Sequence, residues 1–253
     1  MNRPLERGRE GRIVWIRLNS PDTKNLLTPA TVRVLLDALT EAASSRETGA
    51  VLLLQNGDVF CGGIDYSSLA DAAVRDGFSA DLFRLFTVIS GYAVPVVAAA
   101  HGACAGGGVG LVAACHLALA ATGTKFGITD IHFGLWPFPF YAALAAAVGP
   151  RRARELALTG RAFSAADAQA YGLVHEVVPP FELEDRAFQL AGVLAGLSPE
   201  ALSAGLQFAN TAALADAAAA LKSALETADF AEGVAAHLER RRPRWPSLER
   251  SRK

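Results

Sequence analysis

Cysteine is scarce in this chain: its 253 residues contain three, at positions 61, 104 and 115. Their odd number, without CxxC or cysteine–histidine spacing, excludes a disulfide framework and a zinc motif; no metal is expected. Reduced, buried thiols in a cytoplasmic protein are the expectation. An excess of one charge sign is also missing. Lys and Arg together number 24 against 25 Asp and Glu, so no basic field gathers nucleic acid or anionic lipid, and neither is expected as a partner. The opening MNRPLERGREGR carries charge with no apolar stretch behind it, which predicts neither a secretory signal nor a membrane anchor. Between Arg84 and Lys125 charge vanishes entirely. Pro95 and the glycines at 102, 106, 107, 108 and 110 interrupt that stretch, and Ala and Gly suit lipid contact poorly. A doubly buried strand, a glycine loop and a buried helix are predicted there instead of a membrane span.

What is present is core. At 51% hydrophobic and 19% charged residues, a chain of this length buries roughly three quarters of its unfolded surface, and its apolar surplus predicts oligomerisation. Residues 13–18 have strand composition and end in the turn residues Asn19, Ser20, Pro21 and Asp22. Thr28 and Pro29 then open a helix carrying Val32, Leu35, Leu36 and Leu39 at helical spacing. Residues 50–55 read as a buried strand, and 60–65 (FCGGID) as a glycine loop leading to a helix. The same unit recurs as a strand at 94–100, a glycine loop through Gly106, Gly107 and Gly108, and a helix in the apolar run 109–121. Residues 125–130 read as a short strand ending in the Asp130 carboxylate, followed by an aromatic, proline-rich segment at 133–140. Helices are predicted at 141–148, 151–159 and 165–171, the last capped by Ser164 and closed by Gly172, with a final strand at 173–178. From residue 183 the pattern is helical and Ala-rich, giving two regions, 1–182 and 183–253.

Two glycine loops at helix starts present unhindered N–H groups where the helix dipole favours developing negative charge. If they converge, they form an oxyanion hole; taken singly, each is more simply read as a tight turn needing positive φ. Neither loop has phosphate-loop or dinucleotide spacing.

These segments resemble the enoyl-CoA hydratase/isomerase (crotonase) superfamily. The resemblance runs through FCGGID at 60–65, the stretch from Pro95 through HGACAGGG at 101–108, and the NSP…KNL opening at 19–26. It continues in the LTG…AYGLV block at 158–174 and the ending from Glu232-Gly233 to residue 245, so it covers nearly the whole chain in order. It implies an α/β fold, a crotonase-like spiral of ββα units with a C-terminal helical trimerisation region, assembled as a homotrimer or dimer of trimers. It also implies an acyl-CoA thioester substrate, coenzyme A entering only as part of that substrate, with no tightly bound cofactor. Matched position by position, the backbone N–H groups of Ile64 and Gly107 hold the thioester oxygen as it becomes an enolate. Lys24, Leu26, Gly62, Asp65 and Tyr66 border the CoA portion, while Trp136 in the aromatic segment either shapes the acyl pocket or packs the core. Lys24 is equally read as a solvated lysine.

The acid–base positions depart from the resemblance. Two-glutamate hydratases carry one Glu after the glycine triplet and another near the end of the next strand; here the first position is Gly110 and the second Asp130. One shorter carboxylate remains. Water addition by a matched pair is therefore put in doubt, whereas moving one proton between carbons of an enoyl-CoA needs a single base beside an oxyanion hole. Double-bond isomerisation with Asp130 as the acid/base is the favoured expectation. The rivals are a hydratase with an incomplete pair, other thioester chemistry on the same hole, and a catalytically weak acyl-CoA-binding protein. His132 either tunes Asp130 or is an exposed histidine, Tyr141 either shapes the acyl pocket or packs the core, and His116 is read as structural.

Overall fold

The computed structural model describes residues 3–45, 47–199 and 225–244, together with 202, 203, 205, 206, 222 and 246. Much of the helical expectation for 183–253, and Trp245, lies outside the described residues.

Two sheets divide the strands. The larger runs β1 (Leu5–Glu10), β2 (Ile13–Leu18), β3 (Ala50–Gln55), β5 (Val96–Ala100), β7 (Leu117–Ala121) and β10 (Glu176–Val178). The smaller runs β4 (Val59–Cys61), β6 (Ala103–Ala105), β8 (Lys125–Gly127) and β9 (Ala162–Ser164). All neighbours are parallel except the β1–β2 and β8–β9 pairs. Three times, in β3–β4, β5–β6 and β7–β8, the chain places one strand in the large sheet and the next in the small sheet before leaving for a connecting segment. The glycine loops after β4 and β6 consequently lie side by side at one end of the small sheet.

The central strands are apolar on both faces, as parallel strands buried between layers must be. In β3, Val51 and Leu53 join the main core, while Ala50, Leu52 and Leu54 face a second cluster. Helix α8 (Leu183–Ala195) covers that second face with Leu183, Ala187, Ala191 and Ala195, a stripe repeating every four residues. On the other side α1 (Pro29–Ser44) and α3 (Arg75–Ser90) pack on each other, and α4 (Gly107–Ala114) runs through the middle. Helices α5 (Tyr141–Val148), α6 (Pro150–Thr159) and α7 (Ala165–Tyr171) follow, and α9 (Ala228–Leu238) lies across the turn that holds Asp130. Between α1 and α3 stands the short α2 (Tyr66–Ala70).

The caps are where the sequence puts them. The Thr28 hydroxyl accepts from the Thr31 N–H at 3.1 Å. Ser164 and Asp167 form a reciprocal capping box at 3.1 and 2.9 Å, and Gly172 ends α7 in the left-handed conformation. Three expectations change. The apolar run 109–121 is not one helix: α4 stops at Ala114 and β7 begins at Leu117. The strand of 125–130 ends at Gly127, so Asp130 sits on a 3-10 turn, Thr129–Phe133. The last strand shortens to β10 because Leu173 and Val174 serve the loop that follows α7. Among the described residues no helix is long and apolar enough to cross a membrane.

Candidate active site

The first wall of the site is a short parallel pairing between 24–27 and 62–65. The Gly62 N–H donates to Lys24 O at 2.8 Å, the Leu27 N–H to Gly63 O at 2.8 Å, and the Asp65 N–H to Leu27 O at 3.0 Å. Asn25, 1% exposed with φ +51°, ties this segment down. Its amide donates to the carbonyls of Asn56 and Val59 at 3.0 and 2.7 Å and accepts from the Ser20 N–H at 2.7 Å. Sequence reading passed over Asn25; the signal was a buried amide in a turn, a residue type that tolerates positive φ.

The two glycine loops converge. A Cβ on Gly63 would lie 3.2 Å from Ala105 O, and one on Gly107 would lie 2.8 Å from Ile64 Cγ1 and 2.9 Å from Leu27 Cδ1. Gly106 holds φ +46° and donates its N–H to Gly127 O at 2.8 Å, which turns the chain into α4. Neither the Ile64 nor the Gly107 N–H has an acceptor among the described residues. Two free donors on adjoining loops, one at the first residue of α4, are the material of an oxyanion hole.

Asp130 stands over this corner. The residue is 2% exposed, and its Oδ2 would be 3.2 Å from a Cβ on Gly106. The Tyr66 hydroxyl lies 3.5 Å from the same point, and both atoms are buried without a hydrogen-bond partner among the described residues. Burial pushes the Asp130 carboxyl up to about 6, against a smaller opposing pull from the Tyr66 hydroxyl and from its own backbone. Burial, and after it the negative charge of Asp130, pushes the Tyr66 phenol well above its ordinary range, so it keeps its proton. The Tyr66 ring lies 4.2 Å from that of Phe133, which in turn meets His237 of α9 at 4.6 Å. Gly233 of α9 lets that helix press onto the Phe133 carbonyl.

Gly110 is different. A Cβ there would lie 2.5 Å from Phe140 Cγ and 2.9 Å from Phe86 Cε1, both rings being buried. The volume that a side chain at 110 would need is filled by aromatic packing.

The other expected residues divide. Lys24 is exposed at the rim, in left-handed backbone, and Leu26 lies against Gly62. The Asp65 carboxylate is occupied as the cap of α2, accepting from the Ser67 N–H at 3.1 Å and from the Ser68 hydroxyl at 2.6 Å. Trp136 and Tyr141 pair with each other, ring centres 5.1 Å apart, against the core. His132 is exposed and points its Nε2 to Gly160 O at 3.2 Å. His116 accepts from the Val96 N–H at 3.0 Å through Nδ1, and burial lowers it to about 4. Cys61 and Cys104 are buried across β4 and β6, with thiols pushed up by that burial. Among the described residues no group of three or more His, Cys, Asp or Glu side chains gathers as metal ligands.

Comparison with known proteins bears on this geometry. Human enoyl-CoA hydratase domain-containing protein 3, a mitochondrial protein, is 31% identical over 242 residues, spanning 91% of this chain and 79% of its own. The crystal structure of an enoyl-CoA hydratase/isomerase from Pseudoalteromonas atlantica superposes with a TM-score of 0.86 at 28% identity, over 96% of this chain and 99% of that one. Carnitinyl-CoA hydratase from Mycobacterium avium superposes with a TM-score of 0.85 at 27% identity, over 98% and 100%. The enoyl-CoA hydratase/isomerase family model matches residues 8–248. With converging glycine loops, a spiral of paired strands and a family match across nearly its full length, the chain belongs to the enoyl-CoA hydratase/isomerase, or crotonase, family of acyl-CoA enzymes.

Proposed function

We propose that this enzyme shifts the double bond of an enoyl-CoA thioester, using Asp130 as its single acid/base and the N–H groups of Ile64 and Gly107 as oxyanion donors. Asp130 removes a proton from Cα of a 3-enoyl thioester, and the electron pair moves into the carbonyl, whose oxygen becomes negative between the two donors. The same carboxyl returns its proton to Cγ, leaving a 2-enoyl thioester and a restored carboxylate. Atoms balance without water or an oxidant. A carboxyl titrating near 6 suits both halves of this transfer at neutral pH.

The observation that carries the reading is the filled space at Gly110: Phe140 and Phe86 occupy the side where a second carboxylate would act. Lys24, Leu26 and Gly62 form the rim along which the CoA portion would lie, with Trp136 toward the acyl end. Hydration is the second reading, favoured by the hydratase names that the similar human and Mycobacterium avium proteins carry. The test is a paired assay of wild type and Asp130→Ala with a 2-enoyl-CoA and a 3-enoyl-CoA, products being separated by chromatography and mass. Isomerisation that vanishes in the variant is expected. Efficient hydration of the 2-enoyl-CoA by the wild type would instead favour the second reading, and equal turnover by both proteins would remove Asp130 from the chemistry.

We further propose a homotrimer or dimer of trimers in a cytoplasmic setting. Phe181, 82% exposed, and Leu238, 65% exposed, supply apolar surface for assembly. Light scattering after gel filtration reads the stoichiometry, and a monomer would refute it.

A further inference from the structure

Two polar atoms are buried, without a hydrogen-bond partner among the described residues, and held over the same glycine: the Tyr66 hydroxyl and Asp130 Oδ2. Buried polar groups in folded proteins are nearly always paired, so an adjacent orphan donor and orphan acceptor mark a place where a bond forms during function. The phenol retains its proton and can donate; the ionised carboxylate can only accept. Neither is free to look elsewhere. The Tyr66 ring is fixed by Phe133, itself pressed by α9, and the start of α2 is fixed by the Asp65 cap. Asp130 is fixed in its turn by the Leu135 N–H, which donates to Asp130 O at 3.1 Å.

We propose that Tyr66 is a positioning residue for Asp130, its hydroxyl donating to Oδ2 of the ionised carboxylate and aiming the other oxygen at the substrate carbon. This role rests on the reading of Asp130 as the base. It gives the hydroxyl at position 66 a task distinct from bordering CoA.

Other titratable groups near the pair are engaged elsewhere. His132 on the same turn bonds Gly160 O, His237 of α9 packs on the Phe133 ring, Glu232 of α9 is paired with Arg241, and the Asp65 carboxylate caps α2. Among the described residues Tyr66 is the side chain whose influence opposes burial at Asp130, its hydroxyl drawing the carboxyl down against that upward push.

The experiment measures kcat/KM for a 3-enoyl-CoA against pH in wild type, Tyr66→Phe and Asp130→Asn, since this quantity reports the ionisation of the free enzyme. Tyr66→Phe is expected to lower kcat about 10-fold, to leave KM within about 2-fold, and to move the acid limb up by about one pH unit, having removed a donor to the charged form. 3-Fluorotyrosine at position 66, a stronger donor of nearly the same shape, is expected to move the limb down and keeps the test valid should the Phe variant fold poorly. An acid limb unmoved by both replacements overturns the proposal while leaving Asp130 as the base. Full activity in Asp130→Asn overturns both readings together.

Discussion

Gly107 and Gly110 lie three residues apart on α4 and meet opposite surroundings. Around Gly110 the side chains are Phe140 and Phe86, with ring centres 5.5 Å apart, and nothing polar is left unpaired by their contact. Around Gly106 and Gly107 two backbone donors, a carboxylate oxygen and a phenol are without partners among the described residues. The helix at Gly110 is finished core; its start is polar material kept unsatisfied, a cost of order 1–3 kcal/mol for each buried group that a core would not carry. The contrast separates a glycine whose missing side chain makes room for packing from glycines beside unpartnered polar atoms, where the proposed thioester site lies. It also ties the absence of a side chain at position 110 to packing, since a Cβ there would collide with a phenyl ring.

The sharpest way to break the comparison is at Asp130. Asp130→Asn is expected to reduce isomerisation about 1,000-fold, within the range found when a general base is removed. Stability should move the other way. The folded-state pKa is raised from 3.8 to about 6 by burial, so Asp130's contribution is fully present below about pH 4 and is lost as pH rises through about 6. At pH 7 the ionised carboxylate then costs on the order of 3 kcal/mol relative to pH below 4. Urea unfolding at pH 4 and pH 7 should show that loss in wild type and not in the variant. A variant whose stability falls at pH 7 would mean that the carboxylate is satisfied in the fold, and the contrast with Gly110 would disappear.

Gly107→Ala tests the donors. The new methyl would fall 2.8 Å from Ile64 Cγ1 and 2.9 Å from Leu27 Cδ1, prising apart the loops that carry both N–H groups. A drop in kcat of about 100-fold is expected, near the lower end for losing one oxyanion donor, and binding of a saturated acyl-CoA, measured by calorimetry, should weaken much less. Equal losses in both would mark Gly107 as a packing glycine like Gly110.

Gly110→Ala sharpens the other side. Helix propensity alone would favour Ala by about 1 kcal/mol, whereas overpacking against Phe140 and Phe86 costs about 2 kcal/mol. A net destabilisation of about 1 kcal/mol is expected, with kcat little changed. In a Phe140→Leu background the same substitution should become stabilising, and a double-mutant cycle reads that coupling. Additive effects would show that Phe140 is not what fills the space.

Much of this architecture was legible before any coordinate. The caps at Thr28 and Ser164, the break at Gly149-Pro150 and the paired glycine loops rest on local chemistry, and they stand in the structure within a residue or two. What was hidden lacks a local signal. In α4 and β7 every face is buried, so the run 109–121 shows no period to separate helix from strand. Strand β1 reads LERGRE and is half exposed at the sheet edge; it is a strand because β2 pairs with it, and Gly8 leaves room there for Trp15. Strand β9 is three residues long and depends on β8 in the same way. For the site, the resemblance placed Ile64, Gly107 and Asp130 near one another but assigned Tyr66 to the CoA border. The meeting of its hydroxyl with Asp130 depends on how α9 presses Phe133 against the Tyr66 ring, a long-range arrangement that no spacing encodes.

The smallest expected effect separates Asp130 from its histidine neighbour in sequence. Two residues along an extended strand would have put His132 on the same side as the carboxylate, able to hold it charged. The 3-10 turn rotates it away instead: His132 is exposed, with its Nε2 at Gly160 O, where α6 ends in left-handed backbone. His132→Ala should therefore leave the acid limb of kcat/KM unmoved and kcat within about 2-fold, because the ring lies outside the environment that sets Asp130. Its cost should be confined to one solvent-accessible hydrogen bond, about 0.5 kcal/mol by urea unfolding. An upward shift of the acid limb in this variant, comparable to that expected for Tyr66→Phe, would mean that the imidazole reaches the carboxylate in solution. The proton-transfer unit would then extend past Gly106 along the 3-10 turn, and the division between Gly107 and Gly110 would have to be redrawn to include it.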